Sequence, residues 1–111
     1  MAVHAADCTP MELAIKLREH EDFVLLDVRS AEELSIVKLD PCIHVPLQEV
    51  KQRITELESC REKEIVCMCH HGMRSAMAAG LLRQAGFTKV RNLTGGIDAY
   101  AAANDPSMVR Y

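Results

Sequence analysis

The sequence predicts an α/β fold with a mainly parallel central sheet flanked by helices. Three observations predict it: two continuously apolar runs, amphipathic stretches between and after them, and turn or cap residues at the junctions. Phe23-Val24-Leu25-Leu26-Asp27-Val28 and Glu64-Ile65-Val66-Cys67-Met68-Cys69 are too continuously apolar to be strands with one wet face. Central strands buried on both sides, as in a parallel sheet, have this composition.

The remaining elements follow in chain order. Thr9-Pro10-Met11-Glu12 reads as a helix start, with Thr9 as N-cap, Pro10 at the first helical position and Glu12 closing a capping box. Leu13, Ala14 and Leu17 then form a short apolar stripe. After the first apolar run, Ile43-His44-Val45 is a shorter strand limited by Pro46. Leu47, Val50, Ile54 and Leu57 recur at spacings of 3, 4 and 3, with charged and polar residues between them, which predicts a one-sided amphipathic helix. Arg74 to Ala85 reads as another helix, with Ala78, Leu81, Leu82 and Ala85 on one face. Gly86 is a suitable left-handed stop, and Phe87 supplies its accompanying hydrophobic contact. Lys89 to Leu93 is a last strand, Gly95-Gly96 a turn, and Ile97 to Ala103 a closing helix. Alternating strands and helices with right-handed crossovers give one α/β domain over residues 1–111.

Composition narrows the function classes. The 111 residues are 49% hydrophobic and 26% charged, ordinary globular values that argue against disorder. A net charge of −3 implies no basic face, so nucleic acid is not an expected partner. Charged residues interrupt every apolar stretch, so no membrane partner is expected either. Met1 to Cys8 has neither a basic n-region nor an apolar h-region, and secretion is not indicated. Five cysteines, an odd number in a chain with a good aliphatic core, suit individual thiols in a reducing cytoplasm. Oligomeric state is not legible.

Ligands of open α/β sheets bind at the carboxyl ends of the strands. Cys69 stands at that end of the second apolar run, before His70-His71-Gly72-Met73-Arg74-Ser75 and a helix. Loop N–H groups curling around the sulfur, with the helix dipole behind them, stabilise a thiolate. Arg74, and either histidine if protonated, adds attraction for an anion, and Gly72 allows the positive φ that aims an N–H inward. The rings of His70 and His71, or only their backbone, take part; both readings stand at this stage.

Cys-x-x-Gly-x-Arg-Ser between an apolar strand and an amphipathic helix resembles the active-site loop of the rhodanese family of sulfurtransferases. The resemblance extends to Leu26-Asp27-Val28-Arg29 with Glu32-Glu33, to His44-Val45-Pro46-Leu47, to Ala85-Gly86-Phe87 with Val90-Arg91-Asn92-Leu93, and to Gly95-Gly96-Ile97-Asp98-Ala99-Tyr100. It implies a three-layer sandwich and a thiosulfate-type sulfurtransferase working through a Cys69 persulfide, without cofactor or metal. It further implies a small anionic sulfur donor and a thiol, cyanide or protein acceptor. His70, His71, Gly72, Met73 and Arg74 would bind the donor, and Asp27, Arg29 and Ser75 would support the loop. Two alternatives accompany this reading: phosphatase or arsenate-reductase use of Cys69, and a sulfur-carrier or interaction module without turnover. The related phosphatases and reductases use Cys-x5-Arg, whereas four residues separate Cys69 from Arg74 here. Val37-Lys38-Leu39-Asp40-Pro41-Cys42 departs from the family's His-Ile-Pro-Gly-Ala-like run and alters a loop near the site entrance.

The other thiols have plainer expectations. Cys67 shares the strand face of Cys69 and reads as a core hydrophobe, and residues two apart on a strand are poorly placed for a disulfide. Cys8, Cys42 and Cys60 fall near element ends, with Cys42 in the altered loop. Cys67-x-Cys69-His70-His71 fits no usual structural zinc spacing.

Overall fold

The computed structural model describes residues 7–111. Its strands are β1 (Asp7–Cys8), β2 (Phe23–Asp27), β3 (Ile43–His44), β4 (Glu64–Met68) and β5 (Val90–Leu93). Its α-helices are α1 (Pro10–Arg18), α2 (Ala31–Ile36), α3 (Leu47–Arg53), α4 (Met73–Gln84) and α5 (Gly96–Asn104), and α3 continues into a 3₁₀ segment, Ile54–Cys60. The strands form one parallel sheet in the order β1-β5-β4-β2-β3.

Side-chain alternation along the strands builds two cores. Leu25, Val66, Met68 and Leu93 point to one face and pack with Leu13 of α1 and Ile97 of α5. Leu26, Ile65 and Cys67 point to the other and pack with Val50 of α3, Leu57, and Ala78 and Leu82 of α4. The sheet is therefore the middle of three layers, as expected, with β4 and β2 apolar on both sides. Each fully buried aliphatic side chain contributes on the order of 1.5–3 kcal/mol, which a core with so few aromatics must draw from many small terms. Among the described residues no helix is long and apolar enough to cross a membrane.

Local chemistry sets the element ends. The Thr9 hydroxyl accepts from the Glu12 N–H at 3.1 Å and the Glu12 carboxylate from the Thr9 N–H at 3.1 Å, the capping box read from sequence. Three differences from the expected elements have physical causes. The helix starting at Leu47 tightens after Arg53, and a period of three then keeps Ile54, Leu57 and Cys60 on one side against the core. A short helix, α2, follows the first apolar strand, opened by Ser30 and Glu33 in a second capping box. β1 is two residues long, too short to show periodicity, and is placed by pairing with Asn92 and Leu93.

Candidate active site

Cys69 follows β4, the middle strand of the sheet, and is 1% exposed. Its Sγ accepts the Gly72 N–H at 3.0 Å, and the N–H groups of His71 and Ser75 also favour its charged form. Gly72 adopts φ +106°, the left-handed conformation that turns its N–H back to the sulfur before α4 begins. No side chain caps α4, so the N–H groups of its first turn remain directed at the sulfur's end of the helix. Burial raises the Cys69 pKa, but these hydrogen bonds and that of Ser75 outweigh it and hold the thiol below its ordinary value.

The Ser75 hydroxyl lies 3.3 Å from Cys69 Sγ and 2.5 Å from Asn92 Oδ1. The Asn92 amide is oriented by its own donation to the Gly72 carbonyl at 3.2 Å. One hydroxyl proton cannot serve two acceptors at once. Ser75 is thus placed to give its proton to either the sulfur or Asn92.

The loop is held from the far side by α5. Ile97 N–H donates to the Cys69 carbonyl at 2.9 Å and Asp98 N–H to the His70 carbonyl at 3.2 Å. This close approach requires glycine at position 96, with φ +67°, because a Cβ there would collide with the His70 carbonyl.

A hollow of about 220 Å³ opens over the sulfur, lined by Cys69, His70, His71, Met73 and Arg74. Four of the five residues expected from His70 to Arg74 therefore line the hollow with Cys69, and Gly72 reaches the sulfur through its N–H, but their roles differ. Met73 is 82% exposed, so only its backbone belongs to the cradle. Arg74 is turned aside: Nη1 and Nη2 donate to Glu33 Oε1 and Oε2 at 2.7 and 2.9 Å. This pairing, with donation from the Tyr111 hydroxyl at 2.6 Å, holds the Glu33 carboxyl well below the usual carboxylate range.

Asp27 and Arg29 are fully buried and pair through Arg29 Nε and Nη2 at 3.0 and 2.7 Å. Arg29 also donates to the Val37 carbonyl at 2.9 Å and to the Tyr111 hydroxyl at 3.0 Å. Their support of the Cys69 loop is indirect: they fix the end of α2 and Tyr111, and Tyr111 stacks on His70 with ring centroids 3.8 Å apart. Ser75, by contrast, touches the sulfur.

The remaining cysteines are free and structural in setting. Burial pushes the Cys67 thiol up to about 12 and that of Cys8 up to about 11. Cys42 is half-buried, and burial raises it as well. Glu33, Asn92 and Tyr111 had no role assigned from sequence, and Gly96, read as part of a turn, is the first residue of α5. Ser30-Ala31-Glu32-Glu33 carried a readable capping box, whereas Asn92 and Tyr111 gave no local signal.

An α/β sheet presenting a cysteine in a six-residue backbone cradle that favours its ionised form defines a class of cysteine-loop proteins. A family model for the Rhodanese-like domain matches residues 10–103. The chain belongs to the rhodanese-like domain family. It is 32% identical over 89 residues to a sulfurtransferase of Allochromatium vinosum, covering 80% of this chain and 81% of that one. It is 39% identical over 82 residues to a putative sulfur carrier protein of Bacillus subtilis, covering 74% of this chain and 43% of that protein. A rhodanese-related protein of Thermoplasma volcanium superposes with a TM-score of 0.78 at 28% identity, over 88% of this chain and 92% of that one. The chain spans only 24% to 43% of the length of several curated relatives it matches, the Bacillus subtilis protein among them.

Proposed function

We propose that the protein is a sulfurtransferase of the thiosulfate type in which Cys69 is the nucleophile. The Cys69 thiolate attacks the outer sulfur of an anionic donor such as thiosulfate. The S–S bond of the donor breaks, sulfite leaves with the bonding pair, and a Cys69 persulfide remains. A thiophilic acceptor, cyanide or a thiol, then takes the outer sulfur and returns the thiolate, a ping-pong course. The backbone of His70, His71, Gly72, Met73 and Arg74 holds the donor and the persulfide, Ser75 is placed to give its proton to the sulfur, and Asp27 and Arg29 keep the surrounding elements in place. No step uses a metal or an organic cofactor.

The observation that carries this reading is the N–H cradle closing on Cys69 Sγ, with only four residues between it and Arg74, while the Arg74 guanidinium is taken up by Glu33. A phosphate or arsenate needs an arginine pointing into a wider loop, so these reactions fit less well. The name of the Bacillus subtilis relative supports a carrier role as a variant of the same chemistry, with a protein thiol as acceptor. The five free cysteines fit a reducing compartment such as the cytoplasm. We read residues 1–111 as one domain of this kind.

Intact mass after thiosulfate treatment tests the reading. The expected product carries one added sulfur that cyanide removes, and Cys69→Ser abolishes it. No adduct, an adduct surviving Cys69→Ser, or comparable turnover of an aryl phosphate or arsenate overturns it.

A further inference from the structure

Beside the cradle, the fold brings a carboxylate to the two adjacent histidines from a different element. One ring nitrogen of His70, one of His71 and a carboxylate oxygen of Asp98 all lie within 4.8 Å of one another, the one such trio among the described residues. His71 Nε2 stands 3.7 Å from Asp98 Oδ2. The His70 and His71 rings stack with centroids 3.8 Å apart and planes tilted by 29°. At that tilt the ring planes converge only well beyond bonding distance, so the exposed His71 must swing off the stack for both imidazoles to face one ion.

Two of the three donor residues are anchored before any ligand arrives. Asp98 rides on the same backbone contact that fixes the loop, its N–H donating to the His70 carbonyl at 3.2 Å. Tyr111 stacks on His70 at 3.8 Å and 6°, and two rings at that distance cannot share one face, so His70 is clamped between His71 and Tyr111. His70 Nε2 is buried without a hydrogen-bond partner. A buried polar atom left in that condition costs about 1–3 kcal/mol, a cost usually tolerated where the atom serves another purpose.

We propose that His70, His71 and Asp98 form a site for a divalent transition-metal ion at the rim of the Cys69 hollow. Two imidazoles and one carboxylate suit zinc, cobalt, nickel or copper and not the hard, all-oxygen demands of calcium or magnesium. Bond lengths of about 2.1 Å place neighbouring donors roughly 3.4 Å apart, so a trio spanning up to 4.8 Å must close by up to about 1.4 Å. His71, whose side chain is 63% exposed, has the freedom to do so. Binding is ligand exchange alone: the ion gives up waters for three protein donors, and no electron moves. Arg110 is the competitor, since its Nε and Nη2 donate to Asp98 Oδ1 and Oδ2 at 2.9 and 3.1 Å. That exposed pair must open as the ion enters.

The inference does not depend on sulfur transfer, and cobalt(II) titration of the full chain tests it by visible absorption. The expected result is a set of d–d bands that persists in Cys69→Ser. His71→Ala and Asp98→Asn, checked for folding by circular dichroism, should each weaken binding about tenfold or more. Arg110→Ala should tighten it about two- to fivefold by removing an exposed ion pair. No binding at millimolar cobalt overturns the proposal. So does affinity unchanged in His71→Ala and Asp98→Asn, and so does a near-ultraviolet thiolate-to-cobalt band that vanishes with Cys69→Ser.

Discussion

Glu33 and Arg74 stand 41 residues apart in sequence and meet through two hydrogen bonds, 2.7 and 2.9 Å long. The pair joins the start of α2 to the start of α4 and closes one side of the thiolate cradle. Because Glu33 titrates well below its ordinary value of 4.5 in the fold, its contribution to stability is fully present above that value. It is lost as pH falls from about 4.5 through the depressed folded value. Unfolding free energies from urea denaturation should therefore separate wild type from Glu33→Gln by roughly 1–2 kcal/mol near pH 7, and the gap should narrow at about pH 3. An unchanged gap would show that the carboxylate charge is not what holds the pair.

Among the thiols, Cys69 has its pKa drawn down while Cys8, Cys42 and Cys67 are raised by burial. A small alkylating reagent near neutral pH should label Cys69 before these three, as peptide mapping would show. Ser75→Ala removes one donor to the sulfur and should move the rate–pH midpoint upward by about one unit, a single charge-assisted hydrogen bond contributing about 1.5 kcal/mol or more.

Removing one partner of the buried Asp27–Arg29 pair leaves the other charge buried without its counter-ion. Asp27→Ala is expected to lower unfolding stability by about 3–5 kcal/mol, and a double Asp27→Leu, Arg29→Met variant should recover part of that loss. Chemical denaturation of the three proteins measures both effects.

Gly96→Ala combines a left-handed backbone with a collision against the His70 carbonyl. The conformational part alone costs about 1–2 kcal/mol. Relief of the collision must push α5 off the loop, so the variant should both melt lower and alkylate more slowly at Cys69. A stability loss with unchanged Cys69 reactivity would show that α5 does not set the cradle's geometry.

The elements that gave the clearest sequence signals were those whose side chains repeat against the core. Val66 and Cys67, buried on opposite faces of β4, make its apolar run continuous, and the Thr9–Glu12 box marks a helix start by local chemistry alone. Cys69 was legible because a cysteine between strand and helix has few other uses, and the loop pattern added the family. Arg74 was harder to read: a cation two residues past Gly72 looks free until Glu33 arrives from another helix. Asn92 and Tyr111 act only through tertiary contact, with Ser75 and with His70, Arg29 and Glu33 respectively, and no window along the chain contains those partners.

The outermost strand on the β2 side, β3, is two residues long, and β1 on the opposite side is equally short among the described residues. A sheet border is a template on which foreign backbone can add, and its reach grows with the length of unpaired ladder. Here β3 covers only Leu26 and Asp27, so the ladder left open on that border is the short stretch of β2 from Phe23 to Leu25. That stretch lies at the opposite end of the sheet from Cys69, so a chain adding there would leave the sulfur's end of the molecule uncovered.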